Sequence, residues 1–210
     1  MFSPLPLCIS LLPAKLKPFF YRRILGWKIG KNVSIGLSYI DGQHISIGDN
    51  VTIGHFNIIA TFRYLEIGSS SLIKNFNHFS GRCDHPKWPG YMKIGEKVNI
   101  MSRHFIDSHG EVVIGDRTTL AGRDTQIWSH SLTYQTEEPM LSPMSIKVGK
   151  EVYIGARSTL IGCQIPDQAV VGAGSIITKD FSQETGRILI AGNPGVVKKR
   201  YKAATVSVSS

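Results

Sequence analysis

The stretches IGKNVSIG (29–36), ISIGDNVTIG (45–54) and KVGKEVYIGARSTLIG (147–162) decide the fold, because each repeats an aliphatic-glycine pair every six residues. The Ile-Gly or Val-Gly pair occurs at 29–30, 35–36, 47–48, 53–54, 67–68, 94–95, 114–115, 148–149 and 154–155. A period of six matches neither the 3.6 residues of a helical turn nor the alternation of a strand. It predicts an all-β solenoid with three short strands per turn, each placing one aliphatic side chain inward.

Grouping the hexads in threes predicts a chain of about seven coils with a cap at each end. The coils begin near Ile29, Ile47, Ile67, Ile94, Ile114, Val148 and Ile165. We expect residues 1–28 to form an N-terminal cap, 29–180 the β-helix, and 181–210 a C-terminal cap and tail. Longer intervals predict loops at 80–93 and 129–147, and function tends to lie on such loops when a rigid scaffold carries them.

The composition excludes several classes of protein. The 210 residues include 21 Gly, too many for a coiled coil, and no apolar run approaches the length that a transmembrane helix needs. Cys8, Cys83 and Cys163 are far apart, which indicates a reducing compartment rather than a disulfide scaffold. The net charge of +9 allows a polyanionic partner, but no nucleic-acid recognition motif is present, so we expect none.

The N-terminal segment, MFSPLPLCISLLPAKLKPFF, lacks a basic region before its apolar stretch, so we expect it to be mature protein rather than a signal peptide. Two interpretations of residues 1–25 stay open. They pack on the main domain, or they contact an anionic membrane through Lys15, Lys17, Arg22 and Arg23 and the apolar residues beside them. We expect a cytoplasmic protein, located at the inner face of the membrane if the N-terminal segment contacts lipid.

The hexads IGKNVS, IGDNVT and IGARST, followed by AVVGAGSIITKD and AGNPGVVKKRY, resemble the hexapeptide-repeat acyltransferases. The loop that contains His130 resembles the galactoside and maltose acetyltransferase branch and its polysaccharide O-acetyltransferase relatives. The similarity runs from about Ile29 to Arg200. The resemblance implies a left-handed parallel β-helix that assembles as a homotrimer. It also implies that an acyl-CoA, with acetyl-CoA as the expected co-substrate, binds between adjacent prisms.

Acyl transfer to a hydroxyl needs a base that removes the alcohol proton, and histidine suits this role at neutral pH. His130 ends the third strand of the fifth coil and begins the long loop, which is the place of the catalytic histidine in the resembling enzymes. The resemblance also implies that a backbone N–H after the Ile-Gly of the return strand stabilises the oxyanion. In this sequence that residue is Ala156.

The resemblance places the CoA contacts in the C-terminal part of the chain. They map to Ala173, Thr178 and Lys179 in GAGSIITKD, and to Lys198, Lys199 and Arg200 in the tail. Lysine and arginine side chains suit phosphate groups. One arginine of the family falls on Val196, where this sequence departs from the pattern.

For the acceptor we expect a sugar hydroxyl in a surface polysaccharide or its precursor. Asp107 is suited to accept hydrogen bonds from a sugar or to orient an imidazole, Arg103 to bind an acidic acceptor, and Trp88 to stack on a sugar ring. His109 completes the set, near enough to line the cleft of His130 together with His104. The Asn and Asp that the sugar acetyltransferases carry on this coil fall here on Met101 and His109.

Two alternatives stay open. The same base and donor suit N-acetylation of an amino sugar or antibiotic. From another class, a non-catalytic or metal-binding β-helix of the carbonic anhydrase type would need converging histidines, and only His104 and His109 show the HxxxxH spacing. His78, Cys83, Asp84 and His85 match no common zinc pattern, and we expect no metal.

Overall fold

The computed structural model describes residues 3–82, 84, 86–133 and 140–201. Two helices precede the strands, α1 (Pro4–Ser10) and α2 (Lys17–Leu25). The first three coils contain β1 (Lys28–Ile29), β2 (Ser34–Ile35), β3 (Tyr39–Ile47), β4 (Thr52–Ile53), β5 (Ile58–Ile67), β6 (Leu72–Ile73) and β7 (His78–Gly81). The fourth and fifth contain β8 (Tyr91–Ile94), β9 (Asn99–Ser102), β10 (Phe105–Ser108), β11 (Glu111–Ile114), β12 (Thr119–Arg123) and β13 (Gln126–Trp128). The remaining strands are β14 (His130–Thr133), β15 (Met140–Pro143), β16 (Ser145–Val148), β17 (Tyr153–Ile154), β18 (Thr159–Ile161), β19 (Gln164–Ile165), β20 (Val170–Val171), β21 (Ile176–Ile177), β22 (Ile188–Ala191) and β23 (Val196–Arg200).

The strands stack in parallel into a left-handed β-helix of seven coils with three faces, which confirms the predicted fold. Face A holds the first strand of each coil, and its inward residues pair in the register that the repeat predicts, from Ile29 with Ile47 to Val148 with Ile165. Face B holds the second strand of each coil and face C the third. The chain therefore turns at an A–B edge, a B–C edge and a C–A edge in every coil.

The interior is a column of aliphatic side chains, one from each strand, because the six-residue step returns every sixth residue to the same inward direction. Ile35, Ile53, Ile73, Ile100, Leu120, Ile154 and Val171 form the face B part of this column, and each is at most 1% exposed. Burial of such apolar surface contributes roughly 25 cal/mol for each Å² removed from water. The column is thus the main source of stability for a helix in which most strands have only two to four residues.

A ladder of polar side chains lies inside the B–C edge and satisfies backbone groups that the turns leave free. Ser38 Oγ accepts from Asn57 N (3.0 Å), and Asn57 Oδ1 accepts from Asn77 N (2.9 Å). Asn77 Oδ1 accepts from His104 N (2.9 Å), and His104 Nδ1 accepts from Thr125 N (3.1 Å). Each coil therefore supplies the acceptor for the backbone of the next one, as buried polar groups require.

The two helices cover the open end of the first coil. Lys17, only 1% exposed, donates from Nζ to Gly36 O, and Arg22 Nε donates to Ile29 O (2.7 Å). Tyr21 stacks on Trp27 with ring centroids 4.6 Å apart, and both rings are buried. These contacts show why the segment packs on the domain, since terminal strands otherwise leave carbonyl groups unpaired. Within the described residues, neither helix has the length and apolar character needed to cross a bilayer.

Both excursions leave from the C–A edge. The first lies between β7 and β8, where Gly90 N donates to His109 O (3.0 Å) and brings the chain back to the helix. The second is a hairpin in which β14 and β15 pair antiparallel, with His130 opposite Pro143. At the far end, β23 turns back antiparallel on β22 and covers the last strands of face B.

The His104→Asn variant tests the polar ladder. Burial lowers the pKa of His104 to about 4, below its usual value near 6.5, so the folded state holds the ring neutral. Its contribution to stability is complete above about pH 6.5 and is lost as the pH falls toward 4, because the unfolded chain takes up the proton first. We expect wild-type stability to fall by about 2 kcal/mol more than that of His104→Asn between pH 7 and 5.

Chemical unfolding of both proteins across this pH range measures the difference. Asparagine is the matched substitution because Asn57 and Asn77 already serve at the same position of earlier coils. Identical pH dependence in the two proteins would show that His104 is not held neutral by the fold.

Candidate active site

The C–A edge brings four of the predicted residues together: Asp107, His109, His130 and Trp88. β10 and β13 pair in register with Asp107 opposite Trp128, so the residues that follow each strand stack on adjacent coils. Ser129 fixes the turn between them, because its Oγ accepts from Gly110 N (2.9 Å) and its N–H donates to Asp107 O (3.2 Å). A Cβ at Gly110 would lie 2.2 Å from Met144 O, so only glycine fits where the hairpin returns.

Asp107 and His130 form a hydrogen-bonded pair. Asp107 is 3% exposed, and its Oδ1 lies 3.0 Å from His130 Nδ1. The same oxygen accepts from Ser129 Oγ (3.4 Å) and His109 N (3.2 Å), so the carboxylate is held from three sides. A carboxylate on Nδ1 places the proton there and leaves Nε2 of the neutral ring as the basic nitrogen. Of the two roles predicted for Asp107, the geometry supports orientation of an imidazole.

His109 lies parallel to His130, with ring centroids 5.2 Å apart and an interplanar angle of 17°. Its Nε2 lies 3.5 Å from Asp107 Oδ2, so one carboxylate faces both imidazoles. Burial lowers the pKa of His109, the Asp107 carboxylate partly offsets this, and His130 and Arg82 lower it further. The neutral form of the His109 ring is therefore favoured, and this ring is suited to hydrogen bonding rather than to permanent charge.

Trp88 is a wall of this site rather than a surface on which a sugar can stack. Its side chain is 5% exposed, and its ring meets His109 and His130 edge-on, at 5.9 and 6.0 Å between centroids. The guanidinium of Arg82 lies 5.0 Å from the Trp88 centroid. The prediction that Trp88 stacks on a sugar is therefore wrong, because the loop folds the ring inward. Arg82 and Trp128, the latter 6.1 Å from His130, were not predicted.

Ala156 lies at a different edge, B–C, where its N–H has no acceptor among the described residues. At other turns of this edge the residue after the glycine donates to a side chain of the next coil, as Leu37 N does to His55 Nδ1 and His55 N to Asn75 Oδ1. The counterpart of Ala156 in the next coil is Ala173, which offers no side-chain acceptor. The Ala156 N–H is thus left without the side-chain acceptor that equivalent positions of other coils have.

The residues predicted to bind CoA are distributed over the last coils. Ala173 shares the B–C edge with Ala156, whose carbonyl accepts from Gly174 N (2.9 Å). Thr178 and Lys179 are exposed at the C–A edge, after β21. Lys198, Lys199 and Arg200 are exposed on β23, where Lys199 lies over Tyr201 (4.9 Å) and Arg200 pairs with Glu184. No single edge holds all of them.

Two further predicted residues lie apart from His130 within one chain. Arg103 is exposed at the B–C edge, with its guanidinium 5.8 Å from the Phe76 ring. His104 points into the same edge from inside, so the expectation that it lines the His130 cleft is wrong. Because His104 Nδ1 is bonded within the ladder, His104 and His109 do not converge on one metal.

A different trio, Asp107, His109 and His130, places one ligand atom of each within 4.8 Å of the others. Three such ligands resemble a catalytic zinc site in number. The 3.0 Å contact between Asp107 and His130 is a hydrogen bond in length, and it accounts for the arrangement without an ion. The absence of a metal stays a prediction.

Comparison with known proteins confirms the resemblance drawn from the sequence. Residues 145–179, the sixth and seventh coils, match the family described as the hexapeptide repeat of succinyl-transferase. The galactoside O-acetyltransferase of Escherichia coli is 28% identical over 121 residues. That alignment covers 53% of this chain and 59% of the relative, so it spans less than two thirds of the relative's length.

Solved structures share the fold. The polySia-specific acetyltransferase NeuO superimposes with a TM-score of 0.65 at 20% identity, covering 87% of both chains. The N-acyltransferase AntD of Bacillus cereus, solved with dTDP and coenzyme A, superimposes with a TM-score of 0.51 at 19% identity over 91% of this chain and 92% of its own. The chain thus shares the left-handed β-helix fold of these acyltransferase structures, and its residues 145–179 match the hexapeptide-repeat model.

The Asp107→Asn variant tests the shared carboxylate. Since the Asp107 charge partly offsets the effect of burial, its removal should lower the pKa of His109 further. An NMR titration of the imidazole Cε1–H signals measures this shift, with the His109 signal assigned from its loss in His109→Gln. The pKa of His78, which desolvation also lowers, is the internal control and should be the same in both proteins. A rise in the pKa of His109 would contradict the arrangement.

Proposed function

We propose that this protein transfers the acetyl group of acetyl-CoA to a hydroxyl of a sugar, in a surface polysaccharide or its precursor. The observation that carries this proposal is the Asp107–His130 pair, which leaves Nε2 of His130 as a base at the edge of a hexapeptide-repeat prism. The similarity to a galactoside O-acetyltransferase favours a sugar hydroxyl as the acceptor.

In the proposed reaction, His130 Nε2 takes the proton of the acceptor hydroxyl while its oxygen attacks the thioester carbonyl. The Ala156 N–H donates to the oxyanion of the tetrahedral intermediate. Collapse breaks the carbon–sulfur bond, and the imidazolium returns its proton to the CoA sulfur. The products are an acetyl ester and CoA. Asp107 holds the ring in the required tautomer and stabilises the imidazolium.

This mechanism needs two copies of the chain, because His130 and Ala156 lie at different edges of one prism. A neighbouring prism that turns its B–C edge toward the C–A edge of the first would bring the two residues together. Three prisms arranged in a ring satisfy this at three equivalent sites, since a heterologous contact closes when the rotation closes. We therefore propose a homotrimer with acyl-CoA between adjacent chains.

The same arrangement gives CoA a continuous binding surface formed by two chains. Ala173 would line it from the B–C edge of one chain, and Thr178 and Lys179 from the C–A edge of the next. Lys198 and Lys199 carry exposed charge suited to the phosphates. Arg200 has Glu184 beside it, so its charge is partly compensated before any ligand binds.

Mixing two inactive variants tests both the base and the shared site. His130→Ala removes the base and should lower kcat at least 100-fold. Ala156→Pro removes the N–H and should lower kcat by about 100-fold. Proline suits this position because Arg157, with φ 59°, follows it as in a type II turn. Trimers assembled from equal amounts of the two variants should recover about a quarter of wild-type activity, since one site in four pairs an intact His130 with an intact Ala156.

Each variant refolded alone is the control and should stay inactive, with the wild-type oligomeric state in light scattering. Mixed trimers without activity would contradict a site shared between chains. Near-normal turnover of His130→Ala would contradict the mechanism itself.

An amino-sugar or antibiotic acceptor remains the alternative, because the base and donor suit an amine equally well and AntD, which shares the fold, is an N-acyltransferase. Profiling of hydroxyl and amine acceptors with labelled acetyl-CoA distinguishes the two.

We also propose that the N-terminal segment touches an anionic membrane. Leu11, Leu16 and Phe19 are 71%, 51% and 59% exposed, with Lys15 and Arg23 exposed beside them. Lys17 and Arg22 are excluded from this surface role, because both cap the first coil. No acidic residue precedes Asp41, so the segment does not repel anionic lipid.

Co-sedimentation with vesicles tests this contact. We expect binding to vesicles that contain phosphatidylglycerol and little binding to pure phosphatidylcholine, because apolar insertion alone is weak. Leu11→Ser with Phe19→Ser should reduce binding at least fivefold, whereas Tyr153→Ser, a change of an exposed apolar residue on face B, should not. Equal binding by all three proteins would contradict the proposal.

A further inference from the structure

Two phenylalanines are displayed on the B–C edge, outside the apolar core. Phe56 and Phe76 occupy equivalent turns of the second and third coils, with side chains 54% and 52% exposed. Their rings stack with centroids 5.1 Å apart and an interplanar angle of 22°. On the next coil the guanidinium of Arg103 lies 5.8 Å from the Phe76 centroid. We call these three residues the aromatic ridge.

The backbone makes this placement costly. Phe56 and Phe76 have φ of 58° and 61°, in the left-handed region that bulky residues rarely adopt. This conformation destabilises the fold at each of the two residues, and stacking of the two rings offsets only part of that cost. At the A–B edge the same conformation is adopted by no aromatic residue among the described ones, but by Asn32, Asn50, Ser70, Lys97, Arg117, Glu151 and Gln168. The stability of the fold therefore does not explain two phenylalanines here.

The ridge lies on the same edge as Ala156, toward the N-terminal end. Phe56, Phe76 and Arg103 belong to the second, third and fourth coils, whereas Ala156 and Ala173 belong to the sixth and seventh. Neighbouring coils are about 4.8 Å apart, so the ridge begins roughly 10 Å from the level of Ala156. In the proposed trimer this edge faces His130 of the neighbouring chain. If CoA occupies the C-terminal coils, an acceptor that reaches that His130 from the N-terminal side passes along this ridge.

The charge of the B–C edge favours an anion. Lys74, Arg103, Arg123 and Arg157 are exposed there, and the one acidic side chain among the described residues of the edge is Asp124, 3.9 Å from Arg157. Aromatic faces stack on the C–H face of a sugar ring, and a guanidinium binds a carboxylate through two parallel hydrogen bonds. A sugar ring that carries a carboxylate matches both features.

We propose that the aromatic ridge binds an acidic sugar residue of the acceptor glycan. The sugar ring lies on Phe56 and Phe76, and its carboxylate pairs with Arg103. This inference rests on the proposed function for the identity of the glycan as acceptor, but the binding it describes needs no acetyl transfer. It also gives the net positive charge of this edge a purpose other than contact with CoA.

Calorimetry without CoA tests the ridge directly. The probes are tetragalacturonate and the neutral galactose tetrasaccharide with the same linkage, which differ in their carboxylates. We expect the wild type to bind the acidic probe at least tenfold more tightly. Phe56→Asn with Phe76→Asn, and separately Arg103→Asn, should weaken that binding about tenfold or more. Their thermal midpoints should equal or exceed that of the wild type, because asparagine relieves the left-handed backbone.

Lys97→Asn is the matched control, since Lys97 has the same conformation (φ 56°) and a positive charge at the A–B edge. It should bind as the wild type does, and His130→Ala should as well. Weak or equal binding of both probes by the wild type, or affinities of the ridge variants within twofold of it, would overturn the proposal. So would loss of the oligomer in those variants, which would show that the ridge is a contact between chains. If the wild type binds the acidic probe as expected but transfers no acetyl group, the binding role of the ridge is supported and the proposed function is rejected.

Discussion

The register between successive coils is the constraint on which the structure depends. Each inward aliphatic residue must lie over its counterpart one coil away, from Ile29 and Ile47 to Val148 and Ile165. Strands of two residues cannot hold a sheet by themselves, so they persist because every neighbour repeats the same spacing. The polar ladder inside the B–C edge follows from the same register, since the side chains of Asn57, Asn77 and His104 each accept a hydrogen bond from a backbone N–H of the next coil. Chemistry is therefore confined to the edges and to the excursions that leave them.

Much of the fold could be predicted from the sequence, because the inward position of each hexad is occupied by an aliphatic residue. The coil starts and the departure of both excursions followed from spacing alone. The place of His104 was also recoverable: it lies four residues after Ile100, as Asn77 lies four after Ile73. That spacing identifies His104 as a member of the polar ladder, whereas we had expected it to line the His130 cleft.

The site was less predictable, because it depends on how the excursions return. The sequence shows that Trp88 is on a loop but not that the loop turns its ring against His109 and His130. The pairing of Asp107 with His130 joins residues 23 positions apart, and it required the register of β10 and β13 to be known. The separation of His130 and Ala156 onto two edges was hidden for a different reason. The edge on which each of these two residues lies is known only when the strands between them are counted.

Both excursions leave the prism at the C–A edge, and this edge is therefore where the sequence of such a protein can change most freely. The A–B and B–C edges are built from short turns whose backbone groups are bonded coil to coil, and the B–C edge accommodates an extra residue only as a local bulge, between Leu120 and Ile127. At the C–A edge the chain leaves after Gly81 and after Ser129 and rejoins the sheet at β8 and β16 in the same phase. Segments of different length and chemistry can be exchanged at these two points while the prism stays the same. The edge that carries His130 is thus also where new specificities can be grafted without redesign of the core.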